Sequence, residues 1–165
     1  GFSRNIENPL NLNLKNDLKI DANLFSEFSI LKIACISVGN PHLVIFLNEI
    51  PPLVKIAEIG EALSKNELFA NGINVSFVKI ISEDLIKQCS YERGSGLTLA
   101  CGSGACATTF LANKCGLIKS NKVTVRQRGG DLSVVLNEDF VIPGEDRSIS
   151  QTGPATYVFS GKIEV

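Results

Sequence analysis

Apolar and polar residues alternate along this chain in a pattern that predicts mostly β-strands. Runs of β-branched and other apolar residues have the length of strands, and turn signals rich in Gly, Asn and Pro separate them at 39–41 and 71–72. A further turn at 129–131 joins two runs that alternate in period 2. The predicted strands are residues 30–38, 42–47, 73–81, 85–93, 122–128, 132–136, 140–143 and 155–165, the last of which turns at 160–161.

Two stretches have the periodicity of helices. The first follows the Pro-Pro pair at 51–52 and repeats apolar residues every three or four positions up to Leu63. The second covers 104–115, carries no charge before Lys114, and is followed by Gly116, a residue typical of helix ends. Because a helix that is apolar nearly all round is buried on every side, we predict the α+β class, with a strongly curled, mostly antiparallel sheet wrapped around one buried central helix.

Composition and charge narrow the classes of function. The 165 residues are 44% hydrophobic and 20% charged, with a net charge of -1, which is typical of one globular domain without affinity for nucleic acid or anionic membranes. No apolar run approaches the ~20 residues that span a bilayer. The five cysteines are an odd number without a CxxC pair, and His42 is the only histidine. We therefore expect a reducing, cytoplasmic setting, and neither a disulfide framework nor a metal site.

The strongest candidate for chemistry is the sequence LACGSGACAT at 99–108. Gly102, Ser103 and Gly104 come just before or at the start of the predicted helix, whose first N–H groups lack internal partners and whose dipole is positive at this end. Such a turn can hold a carboxylate or phosphate, and this position can lower the pKa of the Cys101 thiol enough to give a thiolate at neutral pH. The plain structural interpretation is a Ser N-cap in a tight Gly turn, with Cys101 as a small buried residue.

Three chemistries stay open for Cys101 on the residues alone. A cysteine protease needs a histidine base beside the thiol, and His42 lies on a turn whose distance from Cys101 the sequence does not determine. A redox centre needs a resolving cysteine two or three residues away, whereas Cys106 is five away. Proton abstraction from carbon needs a base close to the carboxylate of its substrate, and here the thiol and the anion site are neighbours in sequence.

Five motifs occur in an order and spacing that resembles the C-terminal half of the diaminopimelate epimerase family. They are GNPH at 39–42, NVSFV at 74–78, YERGSGLTLACGSGACAT at 91–108, GGDL at 129–132 and GPATYVFSG at 153–161. The resemblance covers the chain from residue 35 onward and, more loosely, the arm at 1–26, where alternating leucines predict a loose edge strand.

The family has two pseudo-symmetric halves, each a curled sheet around a helix, so the resemblance implies one half of that fold. Residues 1–165 are then a single C-terminal domain, and the N-terminal catalytic domain is absent from this sequence. The chain has no methionine, even at position 1, which agrees with a piece of a longer protein. We therefore expect the N-terminal half of the same enzyme as a partner.

The resemblance implies a bacterial, cofactor-independent isomerase that interconverts LL- and meso-diaminopimelate in lysine and peptidoglycan biosynthesis. In that family two cysteines act from opposite faces of the α-carbon, one as a thiolate that removes the proton and one as a thiol that returns it. Cys101 matches the second, and the first belongs to the N-terminal half. The chain alone is expected to be inactive, because inversion needs both groups.

Roles for neighbouring residues also follow from the resemblance. Backbone N–H groups of Gly102 and Ser103 are expected to hold the carboxylate of the reacting centre. Glu92 is expected to meet the substrate ammonium and, with Cys101, to belong to the catalytic set. His42 completes that set, close to Glu92, where it helps to set the protonation of the thiol pair.

The distal amino-acid group of the substrate is expected to bind Asn40, Asn74 and Arg93, since Arg can bind a carboxylate with two hydrogen bonds and Asn supplies neutral donors. Each of these residues also has a plain structural interpretation as a turn, strand-end or solvated residue. Two rival functions stay open as well. One is a module that binds an anion without chemistry, and the other is a racemase of another amino acid in the same superfamily.

Three residues depart from the pattern of the family. Leu97 stands where the family more often has a polar or acidic residue, and Ser103 replaces a frequent threonine. Phe159 matches a position where some members use tyrosine at a dimer contact. A homodimer through the region near Phe159 is therefore an expectation in which the aromatic ring is kept and the hydroxyl is lost.

Overall fold

The computed structural model describes residues 10–11, 25–137 and 148–163. Nine strands and two helices follow one another in this part of the chain. The helices are α1 (Leu53–Ser64) and α2 (Gly102–Lys114). The strands are β1 (Leu10–Asn11), β2 (Ile30–Ser37), β3 (Pro41–Leu47), β4 (Asn74–Ser82), β5 (Leu85–Glu92), β6 (Gly96–Leu97), β7 (Lys122–Gln127), β8 (Gly130–Asn137) and β9 (Ser148–Thr152).

All nine strands belong to one mixed sheet in the order β1-β2-β3-β4-β5-β7-β8-β9, with β6 paired to β5. Only the pairs β3/β4 and β5/β7 are parallel among the described strands. A parallel pair needs a crossover connection, and the two helices supply it: α1 lies between β3 and β4, and α2 lies between β5 and β7 in the chain. The other pairs are antiparallel, so the sheet is mostly antiparallel as the sequence predicts.

Helix α2 lies against one face of this sheet and is largely buried. It contacts β2, β3, β4, β5, β7, β8 and β9. A flat sheet cannot bring seven strands to a single helix of 13 residues, so the sheet curls around α2. Phe110 and Leu111 are buried in the apolar cluster that forms there. The prediction of an α+β fold with a curled sheet around a buried helix is therefore confirmed.

Helix α1 covers the opposite face of the sheet. Its residues Ile56, Ile59 and Leu63 are fully buried in a second apolar cluster. Strand β3 contributes to both clusters, because alternate side chains point to opposite faces: Phe46 packs with α2 and Ile45 packs with α1. This burial on two faces explains why β3 is a continuous apolar run in the sequence rather than an alternating one.

Several predicted strands have a different outcome. The predicted strand at 140–143 lies outside the described residues, as does most of the arm at 1–26, of which Leu10–Asn11 pairs antiparallel with β2 at the edge of the sheet. The prediction of strands within 155–163 is wrong, because this segment follows β9, the last strand of the sheet, and none of the described strands pairs with it. Strand β9 is polar and was not predicted, since its sequence lacks the apolar alternation.

The close packing of α1 on β5 generates a stability prediction at Gly60. A Cβ atom at Gly60 would lie 2.6 Å from both Cβ and Cγ of Tyr91. Helix propensity favours Ala over Gly by about 1 kcal/mol, but overpacking costs about 1–3 kcal/mol. We expect Gly60→Ala to lower the free energy of unfolding, measured by urea denaturation, despite the better propensity.

A matched substitution in the same helix separates the two effects. Ala62 is exposed, so Ala62→Gly should lower the free energy of unfolding by about 1 kcal/mol through propensity alone. An increase in stability for Gly60→Ala would show that Tyr91 does not pack closely against this face of α1.

Candidate active site

Four segments bring the predicted site residues to one end of the sheet. Strands β3 and β4 are parallel, with His42 opposite Asn74, so both strands begin at this end. Strand β5 runs antiparallel to β4 and ends here at Glu92. Helix α2 begins at the same place, since Ser103 Oγ in its first turn lies 3.1 Å from His42 Nε2.

Cys101 is the N-cap residue of α2, and its sulfur accepts a hydrogen bond from the Gly104 N–H at 3.3 Å. The side-chain amide of Gln127 binds the backbone of Cys101 twice, accepting from its N–H at 2.8 Å and donating to its carbonyl at 3.2 Å. The sulfur, in a residue only 5% exposed, is therefore held at the end of the helix. Sequence reasoning missed Gln127. Its signal is a glutamine on the same face of β7 as the buried Val123 and Val125.

The Gln151 side chain of β9 reaches the first turn of α2 at Gly102. A Cβ atom at Gly102 would lie 2.7 Å from Oε1 of Gln151. The same Gln151 oxygen accepts a hydrogen bond from the Cys106 thiol at 3.6 Å. This contact between the end of the Gln151 side chain and the helix start is one that the sequence alone does not indicate.

A group of hydrogen bonds joins Asn40, His42 and Ser103 beside the sulfur. His42 Nε2 lies 3.1 Å from Asn40 Oδ1 and 3.1 Å from Ser103 Oγ, and Asn40 Nδ2 donates to Ser103 Oγ at 3.2 Å. An amide oxygen can only accept, so the hydrogen bond to Asn40 Oδ1 requires a proton on His42 Nε2. His42 Nδ1 is buried, and it has no hydrogen-bond partner among the described residues. His42 is thus a neutral imidazole protonated at Nε2.

Burial and, after it, the positive charge of Arg93 lower the pKa of His42 from 6.5 to about 4. The side chain is fully buried, and the charged imidazolium would lose its hydration there. Arg93 is thus the charged residue that acts on the imidazole. At neutral pH His42 therefore donates from Nε2 and carries no charge.

Burial raises the pKa of the Cys101 thiol above its usual value. The Gly104 N–H and the Ser103 hydroxyl lower this pKa, while the Glu92 carboxylate, which interacts with the sulfur, raises it. The expectation of a thiolate at neutral pH is therefore wrong for this structure, since loss of hydration outweighs the donors at the helix end. Cys101 instead keeps its proton at neutral pH.

Asn74 and Arg93 hold the end of β5 in place. Asn74 Oδ1 accepts from the Arg93 backbone N–H at 2.9 Å, and Asn74 Nδ2 donates to the Pro41 carbonyl at 3.2 Å. The Arg93 guanidinium donates to the Asn71 carbonyl at 2.7 Å and lines a cavity of about 500 Å³ near the end of α1. Cys101 does not line this cavity. The guanidinium and the thiol thus do not share this cavity.

Neither a metal centre nor a membrane span is found in the described parts of the chain. Among residues 10–11, 25–137 and 148–163, no group of three or more His, Cys, Asp or Glu side chains could hold a metal ion. In the same ranges, neither helix is long and apolar enough to cross a bilayer.

The burial of His42 generates a prediction about pH. Because His42 is the only histidine, its imidazole C–H signals in a proton NMR spectrum report its titration directly. We expect these signals to stay constant from pH 8 to about 5 and to shift with a midpoint near pH 4 in the folded chain. In urea the midpoint should return to the ordinary value of about 6.5.

The same shift affects stability. Between pH 4 and 6.5 the unfolded chain binds one proton at His42 that the folded chain does not, so the free energy of unfolding rises with pH over this window. His42→Gln should remove up to about 3 kcal/mol of this pH dependence, measured as the difference between parent and variant at pH 4 and pH 7. A folded-state midpoint near 6.5 would contradict a buried, neutral His42.

Comparisons with known proteins agree with this geometry. The diaminopimelate epimerase family profile matches residues 34–158. A protein of Halothermothrix orenii named diaminopimelate epimerase is 42% identical over 135 residues, which are 82% of this chain and 44% of the relative. A Methanococcus maripaludis protein of the same name is 37% identical over 148 residues, or 88% of this chain and 50% of the relative.

A solved structure supports the fold alone. A phenazine biosynthesis protein of the PhzF family from Enterococcus faecalis superposes with a TM-score of 0.50 and 16% identity, over 68% of this chain and 40% of that chain. The chain spans about half the length of the curated relatives it matches. With the sequence match over 34–158 and the curled sheet around α2, this chain belongs to the diaminopimelate epimerase family.

Proposed function

We propose that this chain is the C-terminal half of an amino-acid epimerase that interconverts LL- and meso-diaminopimelate without a cofactor. The observation that carries the proposal is the position of the Cys101 thiol at the N-terminal end of α2, next to the N–H groups of the first turn. An amino acid whose carboxylate binds this turn would have its α-carbon beside the sulfur. That is the arrangement that proton transfer at an α-carbon needs.

The first turn of α2 supplies the carboxylate site. The first N–H groups of a helix have no acceptor within the helix, and its dipole is positive there. The sulfur of Cys101 accepts from the Gly104 N–H, so the N–H groups of Gly102 and Ser103 are the ones that bind the substrate carboxylate. Helix α2 has no acidic residue in its first turn, so no carboxylate of its own competes for this site.

Cys101 is the proton donor when the LL form is converted to the meso form. A thiolate of the N-terminal half removes the α-proton from the opposite face, and the proton of the Cys101 S–H bond passes to the carbon. The electron pair of that bond stays on sulfur, so Cys101 becomes a thiolate. In the reverse direction this thiolate removes the proton. The protonated resting state of Cys101 supports this role, because a donor must carry its proton at neutral pH.

Glu92 and His42 complete the catalytic set. The Glu92 carboxylate interacts with the Cys101 sulfur, and from this position it binds the substrate ammonium. His42 contributes a neutral Nε2–H donor behind the first turn of α2 rather than a positive charge. The protonation of the thiol therefore depends on burial and on Glu92 more than on His42.

Arg93 binds the distal amino-acid group. Asn40 and Asn74, which are predicted with it, act as positioning residues, because their amides are bonded to Ser103 and to the end of β5. One guanidinium N–H of Arg93 is used by the Asn71 carbonyl, and Arg has five such donors, so a carboxylate can still bind it with two hydrogen bonds. The Arg93 guanidinium lines a cavity that Cys101 does not line, and a cation there supports a substrate with a second carboxylate.

A first experiment tests the reaction directly. The chain alone, incubated with LL-diaminopimelate in deuterated water, should show no deuterium at the α-carbon by proton NMR, because it has one acid–base group where inversion needs two. Adding the N-terminal half of the Halothermothrix orenii relative should start the exchange. In that combination Cys101→Ala should lower the rate by about 10²–10⁴-fold.

The matched control is Cys115→Ala, which changes the cysteine at the other end of α2 and should leave the rate unchanged. Exchange by the chain alone at the rate of a complete enzyme would contradict the two-cysteine mechanism. Binding of diaminopimelate by the combined halves without exchange would indicate an anion-binding module. Exchange on another amino acid but not on diaminopimelate would indicate a different racemase.

The apolar segment after β9 supports a proposal about partners. Tyr157, Val158, Phe159 and Ile163 are between 80% and 89% exposed. Adjacent exposed apolar side chains mark interaction surfaces. This segment contacts the N-terminal half of the enzyme, and the region near Phe159 forms a contact between two copies of the chain.

A second experiment tests the contact between copies. Phe159→Ser should raise the dissociation constant of the dimer by about tenfold or more in sedimentation equilibrium, because an aromatic ring buried at an interface contributes strongly to binding. Leu68→Ser, a matched change at an exposed leucine after α1, should have no effect. If the complex of the parent chain with the N-terminal half contains only one copy of each, the proposed dimer is wrong.

A further inference from the structure

The hydroxyl of Ser103 lies between two polar side chains and the Cys101 sulfur. Its Oγ atom is 3.2 Å from Asn40 Nδ2, 3.1 Å from His42 Nε2 and 3.7 Å from Cys101 Sγ. The resemblance to the family assigns only the backbone N–H of Ser103 to the substrate. The proposed function therefore gives no role to the Ser103 hydroxyl or to its contacts.

The direction of these hydrogen bonds follows from the chemistry of the partners. Asn40 Oδ1 can only accept, so His42 carries its proton on Nε2 and has only that proton to offer. Asn40 Nδ2 can only donate, and it donates to Ser103 Oγ. Both partners on this side are therefore donors, and neither can accept the Ser103 hydrogen. Among the described residues, the remaining partner of the hydroxyl is the Cys101 sulfur.

We propose that Ser103 is a positioning residue whose hydroxyl donates to the Cys101 sulfur and stabilises the thiolate that forms when Cys101 gives up its proton. The inference rests on the proposed function for its role in the reaction. Asn40 and His42 hold the hydroxyl oxygen from behind, so its hydrogen is directed at the sulfur before the reaction begins. A donor that is already oriented need not reorganise as charge develops.

The other groups around the sulfur either stabilise or destabilise the Cys101 thiolate. The Gly104 N–H donates to the sulfur at 3.3 Å and is the second donor to the thiolate. The Glu92 carboxylate opposes the thiolate by its negative charge, and Cys106 is close enough for the charge of Cys101 to act on it. His42 is neutral, and the positive charge of Arg93 acts on His42. Ser103 is therefore the one side-chain donor to the sulfur among the described residues.

The test measures how readily the Cys101 thiolate forms in the chain as it is. Iodoacetamide alkylates the thiolate, so the rate at Cys101 is followed from pH 7 to 10, with tandem mass spectrometry to distinguish Cys101 from Cys106. We expect Ser103→Ala to slow alkylation by about three- to tenfold at pH 8 and to move the pH profile upward, because a hydrogen bond to the charged form is lost. Ser103→Thr keeps the hydroxyl and should restore the parent profile.

Ser64→Ala is the matched control, because it removes another helical serine hydroxyl, which donates to the Ile73 carbonyl at 2.7 Å beneath α1. Its alkylation profile should equal that of the parent. A Ser103→Ala profile equal to or faster than the parent overturns the inference.

Where Ser103→Ala does not fold, Ser103→Val gives the answer. Valine has the shape of threonine without the hydroxyl, so the comparison with Ser103→Thr isolates the hydrogen bond, and the Ser103→Val profile should lie above that of Ser103→Thr in pH. Equal profiles for these two variants overturn the inference here too. The proposed function is judged separately, by α-proton exchange in the combined halves. If exchange occurs but Ser103→Ala leaves the alkylation profile unchanged, only the inference about Ser103 is wrong. If Ser103→Ala changes the alkylation profile but no exchange occurs, the proposed epimerase function is wrong.

Discussion

The burial of α2 inside the curled sheet is the constraint on which the rest of the structure depends. A helix that packs against seven strands can direct its ends only out of the openings of the sheet. Its N-terminal end emerges where β3 and β4 begin and β5 ends, so Cys101 comes to lie among residues from three strands. The donors of the first turn and the thiol then converge on one place as a consequence of packing.

Burial away from water shifts the pKa values of Cys101 and His42 in opposite directions. Burial disfavours the charged form of any group, so it raises the pKa of the Cys101 thiol and lowers that of the His42 imidazole. Both are therefore neutral at neutral pH. A neutral thiol suits a proton donor, and a neutral imidazole suits a directional hydrogen-bond donor to Asn40 and Ser103.

The thiol and the first turn of α2 lie together at one end of the sheet. Arg93 lines a cavity near the end of α1 that Cys101 does not line. The segment after β9 has strongly exposed apolar side chains, Phe159 among them, and none of the described strands pairs with it. The chain spans about half the length of the curated relatives it matches.

Local pattern alone determined most of the elements and the identity of the central residues. Apolar runs predicted β2 to β5, and the lack of charge predicted that α2 is buried. Gly116 indicated the end of α2, and in the structure this glycine has a positive φ. The motif around Cys101 indicated the family. Only the tertiary structure decided that Gln127 holds Cys101, that His42 lies opposite Asn74, and that none of the described strands pairs with 155–163. It also decided that burial outweighs the helix dipole at the thiol. These outcomes depend on contacts between distant parts of the chain and on the loss of water, and neither is encoded in the periodicity of a single segment.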